Sequence, residues 1–137
     1  MATVRKEMLI DAPADEVWDA LRDFGVVHER LAPGFVTDAQ VDGDTRTVTF
    51  ASGAVAREQL IAIDDESRRL VYSVVDSPLG LTHHNASAQV FAAGSGRSRF
   101  VWVADLLSND LADAVDGMME QGAAAMKKHL DSLPAPT

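Results

Sequence analysis

The 137-residue chain carries 12 basic and 21 acidic residues, a formal charge of -9 that repels phosphate backbones and anionic lipid headgroups, so no nucleic acid is expected as a partner. It has no cysteine, which excludes disulfides, thiolate nucleophiles and thiolate-held metals. The length suits one domain, residues 1–137, with one core and room for one site.

No apolar run approaches the roughly 20 residues of a membrane span. The charged first seven residues are not followed by the apolar stretch of a signal peptide. The expectation is a cytoplasmic protein that does not insert into a membrane.

The first segment, VRKEMLIDAP, alternates as a strand, and Asp11, Pro13 and Asp15 supply a turn and the start of a helix. In ADEVWDALRDFG, Val17, Trp18, Leu21 and Phe24 recur at helical spacing before Gly25. A second short helix is predicted over 26–31, ending before Pro33-Gly34. Six strands follow: VTDAQV, TRTVTFA, VAREQLIAID, RLVYSVVD, LTHHNASAQVF and SRFVWVAD. The short turns between them imply sequential antiparallel hairpins.

From residue 110 to 133 a long helix is expected, with Ser108-Asn109 before it, Lys127, Lys128 and His129 in its last turns, and LPAPT ending it. Its inward stripe holds Leu111, Val115, Met118 or Met119, Gly122 and Met126. Gly117, Gly122 and Ala123 to Ala125 allow close approach to a sheet. One strand, two short helices, six strands and a long helix make an α+β layout in which the helix covers one face of a bent seven-stranded sheet.

Alternation assigns the faces of each strand. Val48 and Phe50, Tyr72 and Val74, and Phe100 and Trp102 fall on the apolar parity, as do His84, Ala86 and Ala88, whereas His83 points out. In VAREQLIAI, Glu58 shares its parity with Ala56, Leu60 and Ala62 and becomes the odd polar residue inside. Reflection about the DDESR turn sets Glu58 across from Tyr72 or Val74. Reflection about SPLG sets Tyr72 across from His84 or Ala86. Glu58, Tyr72 and His84 would then form one polar stripe. His83 and His84 point to opposite faces and cannot share an ion, so no metal and no cofactor is expected.

The layout, the W-x-x-L-x-D-F helix and the stretch DTRTVTFASGAVAREQLIAIDDESRRLVYSVVDSPLGLTHHNAS resemble the START/SRPBCC superfamily, which includes birch-pollen-allergen-like proteins, polyketide cyclases and dehydrases, lipid-transfer domains and abscisic acid receptors. The resemblance implies a helix-grip fold with an internal hydrophobic cavity. It adds Ser52 of the gate turn and Leu79 of the next loop as ligand-facing positions, and it places Glu58, Tyr72 and His84 where the receptors face their ligand. The gate has Ala54-Val55 where the receptors have Leu-Pro, and the receptors' His-Arg-Leu latch is replaced by Pro78-Leu79-Gly80-Leu81, so hormone reception is not implied.

The expected function is therefore binding of a small hydrophobic molecule, polyketide-, aromatic- or lipid-like, in a cavity of about 300 to 1,000 Å³. Val48, Phe50, Ser52, Val74, Leu79, Ala86, Trp102, Val115 and Met119 are its predicted contacts. Two alternatives stay open. One is a cofactor-independent cyclase, aromatase or dehydratase in which Glu58 or His84 moves protons and Tyr72 polarises a carbonyl. The other is a protein-interaction module whose cavity has collapsed.

Overall fold

The structure is a computed structural model and describes residues 1–133; the PAPT end, predicted to follow the last helix, lies outside the described residues. Strand β1 (Ala2–Ile10) leads through Pro13 into α1 (Ala14–Arg22). A 3-10 turn (Phe24–Val26) and a one-turn helix α2 (Val27–Arg30) replace the single short helix expected over 26–31. The strands β2 (Val36–Asp42), β3 (Thr45–Phe50), β4 (Val55–Asp64), β5 (Arg69–Asp76), β6 (His83–Ala92) and β7 (Ser98–Leu107) follow as predicted. Helix α3 (Ala112–Asp131) closes the chain after a 3-10 turn at Asn109–Leu111.

All seven strands form one antiparallel sheet in the order β1-β7-β6-β5-β4-β3-β2. Short turns make neighbours of consecutive strands, and β1 closes on β7, with Val4 opposite Ala104 and Met8 opposite Phe100. The period of two sorts the side chains as the pattern requires. His84, Ala86, Ala88 and Val90 on β6 and Ser98, Phe100, Trp102, Ala104 and Leu106 on β7 are all buried, and the residues between them are more exposed. Two expectations fail. Thr82, which shares the inward parity of His84 and Ala86 in the LTHHNASAQVF segment, lies before β6 and is exposed, and Ala62 is exposed because the β4–β5 register shifts between Leu60 and Ala62, which flips the parity beyond that point.

Polar contacts and close packing both fix α3 across the concave face. The Lys6 ammonium on β1 donates to Asp116 and Glu120 at 2.5 and 2.6 Å, and Lys127 donates to the Leu9 carbonyl at 2.6 Å. Val115, Met119, Gly122, Ala123, Met126 and Leu130 form the buried stripe. At the other end of the sheet α1 buries Val17, Trp18 and Leu21, and the Trp18 indole N–H donates to Asp65 in the β4–β5 turn at 2.9 Å. At Gly122 the helix packs directly against ring atoms, where an added Cβ would lie 3.1 Å from Phe35 Cε2 and 3.2 Å from the Trp102 ring.

The two helical glycines should therefore respond oppositely to alanine. Gly117 faces open space, so Gly117→Ala is expected to gain up to about 1 kcal/mol from helix propensity. Gly122→Ala should lose about 1 kcal/mol or more, because overpacking against a fixed indole outweighs that gain. Urea denaturation midpoints of the two variants check the sign of each.

Candidate functional site

A cavity of about 200 Å³ lies between the concave face of the sheet, α2, α3 and the loops after α2, β3 and β5. It is smaller than the expected range, because Phe35, Phe100 and Trp102 occupy its walls and α3 sits tightly on the sheet at Gly122. Of the predicted contacts, Val48 and Phe50 line it from β3, Val74 from β5 and Trp102 from β7, with Val115 and Met119 from α3 and Leu79 from the β5–β6 loop. Ser52 does not reach it. That residue is exposed in the β3–β4 turn, where its hydroxyl accepts from the Ala54 N–H at 3.3 Å. Ala86 is fully buried between Tyr72 and Ala104 on the neighbouring strands, and its methyl group stops short of the cavity.

Glu58, Tyr72 and His84 all line the cavity and are all buried. Glu58 stands opposite Val74, and Tyr72 opposite Ala86, so each reflection lands on one of its two predicted partners. The stripe contains a fourth member. Arg46 faces Glu58 directly across β3 and β4, and its Nε–H donates to Glu58 Oε1 at 2.7 Å. Its Nη1–H donates to the Phe24 carbonyl at 3.0 Å, and the guanidinium lies 4.0 Å from the Phe24 ring centroid and 5.4 Å from that of Tyr72. Two signals in the sequence point to this residue. Arg46 shares the parity of Val48 and Phe50, and reflection about Ser52 pairs it with Glu58.

Strand pairing between β5 and β6 runs only as far as Tyr72 opposite Ala86. Beyond it the Val74 N–H would have no ladder acceptor, and His84 Nδ1 accepts it at 2.9 Å, while the Ser73 hydroxyl donates to the His84 carbonyl. A neutral imidazole that accepts at Nδ1 carries its proton on Nε2. That N–H makes no hydrogen bond to a protein acceptor among the described residues. Burial pushes the His84 pKa down to about 4, helped by the neighbouring His83 and opposed by Asp105. The ring is therefore neutral at pH 7.

Tyr72 is held in a similar way. The Trp102 indole N–H donates to its oxygen at 3.1 Å, leaving the phenolic O–H free of a protein acceptor among the described residues. Burial, followed by the nearby Glu58 charge, raises the phenol above its ordinary pKa, so it too stays neutral. Asp105 does not approach the cavity; its carboxylate accepts from Thr3 on the outer face at 2.6 Å. His83 is exposed on that face and contributes nothing inside.

Two outcomes follow from this electrostatic arrangement. The unfolded chain protonates His84 below its ordinary 6.5 whereas the folded chain does so only near 4. Stability from this group is thus full above pH 6.5 and declines as the pH falls through about 4, by roughly 3 kcal/mol in all. Denaturant melts across that window should show the decline in the wild type and a flatter profile in His84→Gln. For the ion pair, Arg46→Met or Glu58→Leu alone should cost about 3–5 kcal/mol, because each strands a buried polar partner. The double variant Arg46→Met/Glu58→Leu should lose far less than the sum, as read from the same denaturant melts.

Known proteins share this architecture. A protein named XoxI from Bacillus cereus superposes with a TM-score of 0.85 at 21% identity, covering 96% of this chain and 97% of that one. A protein from Thermobifida fusca gives 0.80 at 27% identity, covering 96% and 91%. Norcoclaurine synthase from Thalictrum flavum, solved in complex with dopamine and hydroxybenzaldehyde, gives 0.74 at 18% identity, covering 98% and 89%. Residues 1–134 match the family described as "Polyketide cyclase / dehydrase and lipid transport". With nearly its whole length matched and the curved sheet gripping a long helix in place, the chain belongs to this polyketide cyclase/dehydrase and lipid transport family.

Proposed function

We propose that the protein binds a small, mostly apolar molecule in the cavity under α3, with the ligand's polar end at His84 and Tyr72. One observation carries the reading: in an interior walled by Val48, Phe50, Val74 and Trp102, the His84 Nε2–H and the Tyr72 O–H have no protein acceptor among the described residues. Buried donors are normally satisfied, so a ligand or water must take these protons. The family's description, which spans cyclases, dehydrases and lipid transport, supports a ligand-binding role.

A second reading, turnover by a cofactor-independent cyclase or dehydratase, draws on Glu58. One of its oxygens is held by Arg46, and the other has no protein donor among the described residues. That free oxygen is a base aimed at the same space as the two donors. His84 is poorly suited to accept a proton, because its basic nitrogen is engaged by Val74 N–H. The cavity of about 200 Å³ supports ligand binding over the interaction module with a collapsed cavity.

Binding is tested by thermal unfolding and native mass spectrometry with a panel of apolar compounds. A ligand present at a hundredfold excess over its Kd should stabilise the fold by about 2.7 kcal/mol and raise Tm by about 10 °C. Quenching of Trp102 fluorescence in a Trp18→Phe background should track the same titration. A panel in which no compound shifts Tm or quenches Trp102 would reject the reading. If turnover follows binding, Glu58→Gln should abolish it while a bound ligand is still detected by mass.

A further inference from the structure

Resting on that reading, we infer the ligand class: a neutral molecule built on a single ring, whose carbonyl oxygen accepts the His84 Nε2–H with the Tyr72 O–H beside it. The volume sets the size. At about 200 Å³ the cavity falls below the range of about 300 to 1,000 Å³ usual for small-molecule sites, which favours a compact, single-ring ligand.

Charge sets the second limit. Arg46 and Glu58 are the two charged side chains lining the cavity among the described residues, and each neutralises the other at 2.7 Å. Tyr72 and His84 add dipoles but no charge. An ionic ligand would lose its hydration with no free counter-charge to meet it. A neutral ligand avoids that penalty.

The hydrogen-bonding pattern sets the functional group. Both stripe residues beside the ion pair offer donors to the cavity, each fixed by a partner behind it, Val74 N–H for His84 and Trp102 N–H for Tyr72. Two donors suit an oxygen with two lone pairs, as a carbonyl has. The remaining walls are broad and apolar. Phe35 and Phe50 tilt at 58° with their centroids 5.2 Å apart, and the Trp102 ring completes a surface suited to the face and edge of an aromatic ring.

Calorimetric titration of the full chain with four compounds tests each limit separately: acetophenone, ethylbenzene, benzoate and the three-ring ketone 2-acetylanthracene. Acetophenone should bind about tenfold more tightly than ethylbenzene, the difference expected for one well-placed hydrogen bond, and benzoate and 2-acetylanthracene should bind more weakly still. His84→Leu should abolish the preference for acetophenone over ethylbenzene. Tyr72→Phe, which keeps the ring and removes only the hydroxyl, should reduce that preference, and it provides the test if His84→Leu does not fold. Equal binding of ethylbenzene and acetophenone overturns the carbonyl assignment, tighter binding of benzoate overturns the neutrality, and tighter binding of the three-ring ketone overturns the size. In each of these cases the ligand-binding reading survives. Failure of all four compounds to bind, together with failure of the broader apolar panel, would overturn both.

Discussion

The pairing of Arg46 with Glu58 sets the character of the interior. Two charged side chains, each less than a tenth exposed, sit opposite one another on β3 and β4, and neither could be buried there alone. The guanidinium also reaches the Phe24 carbonyl at the joint between α1 and α2 and lies over the Phe24 ring. It thereby joins the short helices to the sheet at the floor of the cavity. The residues that close one end of the fold and the residues that give the cavity its polar side are held by the same group.

The other constraint is the distance between α3 and the sheet. A glycine at 122 lets the helix settle onto Phe35 and Trp102, and the resulting space is small for a family whose description includes lipid transport. Had residue 122 carried a side chain, the helix would ride higher or Trp102 would turn. Either change would move the indole N–H that fixes the Tyr72 hydroxyl. Cavity volume and donor geometry are thus coupled through one backbone contact.

Much of this was legible in the sequence because it follows from the period of two and from turn length. Inward placement of His84, Trp102 and Val48 required nothing more, and the turns alone brought Glu58 opposite Val74. What escaped was tertiary or irregular. The exposure of Ala62 depends on a register shift that no periodicity encodes, and the distance of Ser52 from the cavity depends on how far the β3–β4 turn projects. Arg46 is a different case. Its parity and its reflected partner are both readable, but arginines are mostly exposed, so parity alone does not single one out as buried until a carboxylate is found beside it.

The end of the β5–β6 ladder bears most directly on chemistry. Where strand pairing stops, a backbone N–H needs a partner, and the imidazole that supplies it gives up its basic nitrogen. His84 is left as a fixed donor whose tautomer is set by the fold and whose charge is suppressed by burial. Tyr72, held by Trp102, is a donor for the same kind of reason. A cavity with two preorganised neutral donors is suited to holding an oxygen in place. Catalysis would also need a group to accept a proton, and the one carboxylate lining the cavity among the described residues has an oxygen committed to Arg46. On the function proposed above, these groups hold a ligand in place through two fixed donors, and the ion pair beside them supplies no further free hydrogen-bond donor that is neutral.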